Sequence, residues 1–251
     1  MKDAGFQHHA LIYEGSDEYL AGTVPFLRTG LEAREPALVA VGRAQREMLE
    51  VELGEQADLV SFADMESLGR NPAWIIPLWR EFVDEAEGRS VRGIGEPVWA
   101  ARSAAALDEC ERYEALLNVA FDPGQSWSLL CPYDAGALGE DVLEKVCRSH
   151  SHVHREGRIK ASADFDPQLD CFAGELAPPE IFDFGLTGLQ EVRHRVAAAA
   201  EASGMDPLAV ADLVTATSEL AANSVMHGGG TGTLRLWREE GRLLAEVRTA
   251  A

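Results

Sequence analysis

Glu219 and Asn223 stand four residues apart in the run Ser218-Glu219-Leu220-Ala221-Ala222-Asn223-Ser224-Val225-Met226-His227-Gly228. In a helix, at about 100° per residue, Glu219, Asn223 and His227 fall within about one quadrant, beside Asp212 and Thr215. Such a stripe could hold a hard cation, because one Asn223 oxygen together with phosphate oxygens suits magnesium, which keeps part of its water shell. Glu219, one turn back, is then placed to orient or deprotonate a water or hydroxyl. The same pairing also arises by chance on any polar helix face. Val210, Leu213, Val214, Leu220, Ala221 and Val225 are expected on the opposite, core-facing side. Asp206-Pro207 predicts the helix start. Gly228-Gly229-Gly230 predicts its end, in a form that lets backbone approach phosphate closely.

Other chemistry-bearing residues gather at the ends of apolar runs. Tyr13, Glu14, Gly95, Glu96, Trp99, Tyr133 and Asp134 all follow or close a predicted strand. In an open α/β sheet those ends face the usual ligand crevice. An aromatic and carboxylate pocket for a small effector is one reading; core packing of Trp99 and Tyr133, with the carboxylates as helix caps, is the other. His150, His152 and His154 alternate, so they would share one face if extended. With His8 or His9 and Cys147 they suggest zinc, against the alternative of an exposed loop after a helix. Cys131 or Cys147 could serve redox sensing, but no flanking cation argues for a lowered thiol pKa.

The elements that must position these groups read as alternating strand and helix. His9–Tyr13 opens as a strand, and Ser16 caps a helix toward Ala33. Ala37–Val41 is an apolar run bounded by Pro36 and Gly42, as a strand buried on both faces should be. A helix to Gly54, a strand at Leu59–Phe62 and a helix from Asn71-Pro72 to Gly88 follow. Val91–Ile94 is a strand, Ala106–Phe121 a helix, Trp127–Cys131 a strand and Gly139–Ser149 a helix. This alternation predicts a doubly wound α/β layer over 5–165. Residues 166–179, rich in Pro and acidic groups, read as a linker. Over 180–251 come a strand at Ile181–Phe184 and a helix opened by a Thr187–Gln190 capping box and closed by Gly204. The Asp206–His227 helix and a hairpin, Thr233–Trp237 with Leu243–Val247, complete it.

The chain has 251 residues, is 46% hydrophobic and carries a net charge of −20. That size allows two ordinary cores, and that charge argues against nucleic-acid binding, which needs clustered Lys and Arg. No leader-like or membrane-spanning apolar run occurs, so no membrane partner and a cytoplasmic location are expected. Cys110, Cys131, Cys147 and Cys171 show no Cys-x-x-Cys spacing and read as reduced thiols.

Two family resemblances sharpen this. Residues 5–165 resemble the MEDS domain, named for sensory proteins of methanogens and methylotrophs. The resemblance rests on His9, Tyr13-Glu14, Tyr19, Pro25-Phe26, Gly30-Leu31, Gly93-Ile94-Gly95-Glu96, Trp99, Tyr113-Glu114, Asn118 and Cys131-Pro132-Tyr133-Asp134. It implies a RecA and KaiC type of sheet without a working phosphate loop, which agrees with the acidic turn Glu14-Gly15-Ser16-Asp17-Glu18. The Glu219-x-x-x-Asn223 helix ending in His227-Gly228 resembles the N-box of GHKL (HATPase_c, Bergerat-type) ATPases, in the anti-sigma factor and switch-kinase branch. That resemblance implies an α+β module binding Mg-ATP, with Asn223 holding magnesium, Glu219 as base, and His227-Gly228 bordering the phosphates. It also implies a sigma factor or an anti-sigma antagonist as partner, and a serine/threonine kinase activity.

The residues through Ala251 hold no Asp-x-Gly-x-Gly loop and no second Gly-rich loop, so the GHKL segment reads as incomplete. Weak or absent Mg-ATP binding, and no kinase activity, are therefore expected. Apolar Leu234, Leu236, Leu243 and Val247 are expected at an uncovered sheet, to be covered by the N-terminal domain or by a second chain, which makes a homodimer a linked expectation. Two functions follow. One is a transcription-regulating signalling protein, with a sensor joined to an anti-sigma-type module. The other is a ligand-binding or protein-interaction module whose C-terminal segment performs no ATP chemistry.

Overall fold

The computed structural model describes residues 5–69, 74–99, 102, 104–121, 126–166, 178–239 and 242–249. The chain divides into two compact units, Met1–Phe172 and Ala173–Ala251.

The first unit is α/β. Its elements run β1 (Phe6–Tyr13), α1 (Gly15–Glu32), β2 (Ala37–Val41), α2 (Arg43–Leu53), β3 (Val60–Asp64), the single turn α3 (Met65–Leu68) and α4 (Ile75–Glu85). β4 (Val91–Gly95), α5 (Ala104–Ala120), β5 (Trp127–Asp134), α6 (Glu140–Ser149), β6 (His152–Arg155) and β7 (Arg158–Ala161) follow. The sheet order is β3-β2-β4-β5-β1-β6-β7, parallel except where β7 returns antiparallel to β6. Helices cover both faces. α1 and α2 pack Tyr19, Leu27 and Leu49 on Leu11, Val39, Ile94 and Leu130. α4, α5 and α6 pack Trp79, Leu117 and Val146 on Ala10, Leu129 and Cys131. Being covered twice is why β2, the run Ala-Leu-Val-Ala-Val, is buried at every position.

Two glycines set the closeness of these layers. A Cβ on Gly22 would lie 2.5 Å from Leu11, so α1 can settle on β1 only because the side chain is absent. A Cβ on Gly93 would lie 2.9 Å from the Trp79 ring, which rests on β4. Trp79 is fully buried and its Nε1 donates to the Tyr113 hydroxyl at 2.9 Å, which meets the requirement that a buried indole N–H find an acceptor.

Two local expectations change. α1 starts one residue before Ser16, with Glu14 at the cap position and no side-chain cap bond. Residues 152–155 are a strand rather than an exposed loop, because parallel pairing with β1 and antiparallel pairing with β7 satisfy their backbone from both sides. The predicted helix start at Asn71-Pro72, Cys171 and most of the predicted linker lie outside the described residues. Among the described residues, no helix is long and apolar enough to cross a membrane.

The second unit is α+β: β8 (Glu180–Gly185), α7 (Leu189–Ala202), α8 (Pro207–His227), β9 (Thr231–Glu239) and β10 (Arg242–Thr249). Its antiparallel sheet has the order β10-β9-β8. Phe184, Leu234 and Leu236 meet Val192, Val196 and Ala199 of α7 and Ala221 of α8 in one core. Asp206 caps α8 by accepting from the Leu208 and Ala209 amides, as its place before Pro207 predicts. Gly204, at φ +74°, ends the turn after α7.

Three expectations are corrected here. The Thr187 capping box does not form: Leu186–Gly188 make a 3-10 turn and Gly188 precedes α7 with helical backbone and no side-chain cap bond. Leu220 is 55% exposed rather than core-facing. Leu234 and Leu236 are buried and Leu243 and Val247 pack against the same core, so this sheet face is covered by the unit's own helices. The argument for a dimer through those residues loses its basis.

Candidate functional site

Strand alternation decides which of the predicted ligand residues meet. β1 and β5 are paired so that Ile12 sits beside Tyr133 and Tyr13 beside Asp134. Neighbours in parallel register point to the same side of a sheet, and successive residues to opposite sides. Tyr13 and Asp134 therefore face the α1 and α2 layer, while Tyr133 faces α5 and α6. The seven predicted residues do not form one pocket.

On the α1 side, the Tyr13 hydroxyl donates to Glu96 Oε1 at 2.8 Å. Glu96 follows β4, and its amide donates to the Ala40 carbonyl at 3.0 Å, which ties it to the end of β2. Both residues are 5% exposed. Burial, with Asp134 nearby, pushes the Glu96 carboxyl up to about 8, although the Tyr13 bond opposes the rise. Near neutral pH Glu96 thus holds a proton, a state apolar surroundings favour. Its Oε2 and the buried Tyr19 hydroxyl have no hydrogen-bond partner among the described residues. Asp134 turns its Oδ1 to the Gly136 amide at 2.9 Å. Glu14 is exposed, and Gly95 lies under Trp79, where a Cβ would be 3.0 Å from the ring.

On the other side, Tyr133 is fully buried, 3.5 Å from His150 Nε2. Trp99 is half-buried against that same core, with the Arg102 guanidinium 3.8 Å over its ring. That contact is a cation–π pair.

The histidines also divide by face. His152 and His154 register with His9 and Leu11, and His9 Nδ1 lies 3.1 Å from His154 Nε2. Burial and the neighbouring rings push His9 down to about 3. A groove of about 630 Å³ between α1 and the β6–β7 turn is lined by Leu11, Gly22, Phe26, His154 and Ile159. His8 and His150 lie on the opposite face, where Glu114 and Cys131 join them. Cys147 belongs to neither group; burial pushes its thiol up, and Cys110 is pushed up to about 12. His8, Cys131 and His150 are visible in the sequence as possible ligands, but Cys131 and His150 lie more than a hundred residues from His8 and meet it only through the fold of the sheet. Glu114 joins them through the packing of α5 on β1 and β5.

In the second unit, Glu219, Asn223 and His227 are exposed along α8, with Asp212 and Thr215 also exposed. Gly228 has a packing reason for being glycine: a Cβ there would lie 1.8 Å from Thr249 Cγ2. Gly229 and Gly230 take φ +89° and +88° as the chain turns into β9. Leu220 and Met226, 55% and 72% exposed, flank the polar stripe.

Residues 7–151 match the family model described as the methanogen/methylotroph, DcmR sensory domain, abbreviated MEDS. No curated protein matches the chain.

Proposed function

Because the chain belongs to the MEDS sensory family, we propose that it is a signalling regulator: its first unit binds a small effector beside Tyr13 and Glu96, and its second unit acts on a protein partner. The observation that carries the effector site is the buried, proton-holding Glu96 at the C-terminal strand ends. One oxygen accepts from Tyr13, and the other has an O–H to give. Asp134 alongside repels anions. The effector this chemistry favours is a small neutral molecule with a hydrogen-bond acceptor, such as an alcohol, carbonyl or amide. An interior β1 running into α1, within a mostly parallel sheet wrapped on both faces, supports the finer reading of a RecA and KaiC type of unit.

For the second unit, the resemblance to anti-sigma GHKL modules points to a sigma factor or its antagonist as partner, and the exposed Glu219-Asn223-His227 stripe supports it. A second reading is favoured by Leu220 and Met226. Exposed apolar groups beside a polar stripe suit a protein contact without ATP chemistry.

Thermal-shift titration of the whole chain with short alcohols, ketones and amides tests the effector site. Stabilisation of the parent that Tyr13→Phe and Glu96→Leu lose and Glu96→Gln largely keeps is expected; hits that stabilise the Glu96→Leu variant as much as the parent would sink it. Mg-ATP titration separates the two readings of the second unit. Weak or absent binding is expected, and tight binding abolished by Asn223→Ala would assign ATP chemistry to α8.

A further inference from the structure

Four buried side chains from separate parts of the fold converge between β1, β5 and the α5–α6 layer. His8 comes from β1, Glu114 from α5, Cys131 from β5, and His150 directly follows α6. They are 2%, 3%, 1% and 0% exposed, and one ligand atom from each lies within 4.8 Å of all the others.

The protons on the two imidazoles can be assigned from their outer partners. Asn118 Nδ2 donates to the Ser149 carbonyl at 2.8 Å. Its Oδ1 is thereby turned to His8 Nδ1 at 3.1 Å, and an amide oxygen can only accept. His150 Nδ1 lies 2.9 Å from the Val146 carbonyl, which also only accepts. Each neutral ring therefore carries its hydrogen on Nδ1 and a lone pair on Nε2. Both lone pairs point inward. His8 Nε2 is 3.0 Å from Glu114 Oε2 and 3.4 Å from Cys131 Sγ, and His150 Nε2 is 3.4 Å from the same Glu114 oxygen. Neither Glu114 oxygen receives a well-directed hydrogen bond among the described residues. The two separations from Nε2 to Glu114 are lone pair against lone pair, while the Cys131 thiol can donate to His8 Nε2 and the Tyr133 hydroxyl lies 3.5 Å from His150 Nε2.

A cation at the centre resolves that conflict for His8, His150 and Glu114, and Cys131 completes the same shell. We propose that His8, Glu114, Cys131 and His150 form a four-coordinate site for zinc or a similar divalent transition metal. Tetrahedral bonds of about 2.0–2.3 Å place neighbouring ligand atoms about 3.3–3.6 Å apart, close to the three separations above. Imidazole, thiolate and carboxylate together suit zinc better than magnesium or calcium, which want oxygen alone. Outer carbonyl acceptors on both Nδ1 atoms are the arrangement that holds metal-bound histidines in place. Burial of the ionised Glu114 without a counter-charge is costly, and the metal supplies that charge. On binding, the Cys131 thiol releases its proton to solvent as the sulfur–metal bond forms. A cavity of about 30 Å³ reaches Glu114 from Glu111 and Lys145 at the surface. It has room for about one water and gives an entry path.

Cobalt(II) titration of the purified, chelator-stripped whole chain tests this. The expected result is one equivalent bound, with thiolate-to-metal charge-transfer absorption and the intense visible bands of a four-coordinate ion, both displaced by zinc. Cys131→Ser should lose the charge-transfer band, while Cys147→Ser and His9→Gln keep it. No cobalt uptake by the folded chain, or a spectrum lost with His9→Gln but kept with Cys131→Ser, would overturn the assignment. X-ray absorption of the zinc-loaded parent needs no variant. One sulfur at about 2.3 Å with nitrogen and oxygen ligands at about 2.0–2.1 Å is expected, and a shell without sulfur overturns it.

Discussion

Replacing Glu96 by Gln should make the protein more stable at high pH than at low pH relative to the parent. In the folded chain burial holds the Glu96 proton up to about 8, against an ordinary 4.5. Between those values the folded state keeps a proton that the unfolded chain has released. The unfolding free energy of the parent therefore falls as pH rises through this window. At about 1.4 kcal/mol per pH unit the full interval is worth roughly 3–5 kcal/mol. Gln has no proton to lose, and its side-chain oxygen still accepts from Tyr13, so the Glu96→Gln variant escapes the loss. Glu114 and the histidines around it are common to both proteins, so their titration cancels in the difference between variant and parent. Urea denaturation of the whole chain at pH 5, 6.5 and 8.5 is the assay, following the transition of the first unit. The variant-minus-parent stability should climb by about 3 kcal/mol or more over that range. A difference that stays flat with pH would refute the buried, proton-holding carboxyl and with it the effector chemistry argued from Glu96.

Trp79→Ala should cost about 3–5 kcal/mol, because it opens a cavity over Gly93 and strands the Tyr113 hydroxyl; chemical denaturation reads it. Asp206→Ala should cost about 1 kcal/mol through loss of the α8 cap, with Asp206→Ser recovering most of it. The net charge of −20 predicts no binding to duplex DNA at physiological salt, and a mobility shift with micromolar, salt-sensitive affinity would contradict that.

Continuous apolar runs were the most legible part of the sequence. Ala37–Val41 has the same bounds by either route, because a strand covered on both faces has nowhere to put a polar residue. β6 was not legible: His-Val-His-Arg carries one apolar residue, and its strand state comes from the backbone of β1 and β7. The effector residues were legible as a set of strand ends but not as two faces. Only the Ile12–Tyr133 pairing separates Tyr13 from Tyr133, and register cannot be read from one strand alone. In the four-residue cluster, His8 and His150 are readable from the sequence as possible metal ligands. Cys131 stands out in the sequence as a thiol and Glu114 as part of the family resemblance, but nothing joins either to His8 and His150 until α5 and β5 are placed beside β1. Leu220 failed because an apolar residue on a helix need not face the core.

The place of β1 in the sheet has a kinetic consequence. It pairs on one side with β5, so that Gln7 and Ser128 meet across 121 residues of sequence, and on the other with β6, farther still along the chain. Neither neighbour is local, so β1 gains no sheet hydrogen bonds until most of the first unit has been assembled around its position. Such high contact order slows folding and leaves the strand unpaired in early intermediates. In the interval Phe6, Leu11 and Ile12 stand exposed beside His8 and His9, in a chain already able to form α1 and the β2–α2–β3 segment. Refolding should therefore show a slow phase in which near-native helix signal precedes burial of Trp127, the residue against which Phe6 stacks at 4.5 Å. Insertion of β1 is the step that closes the sheet.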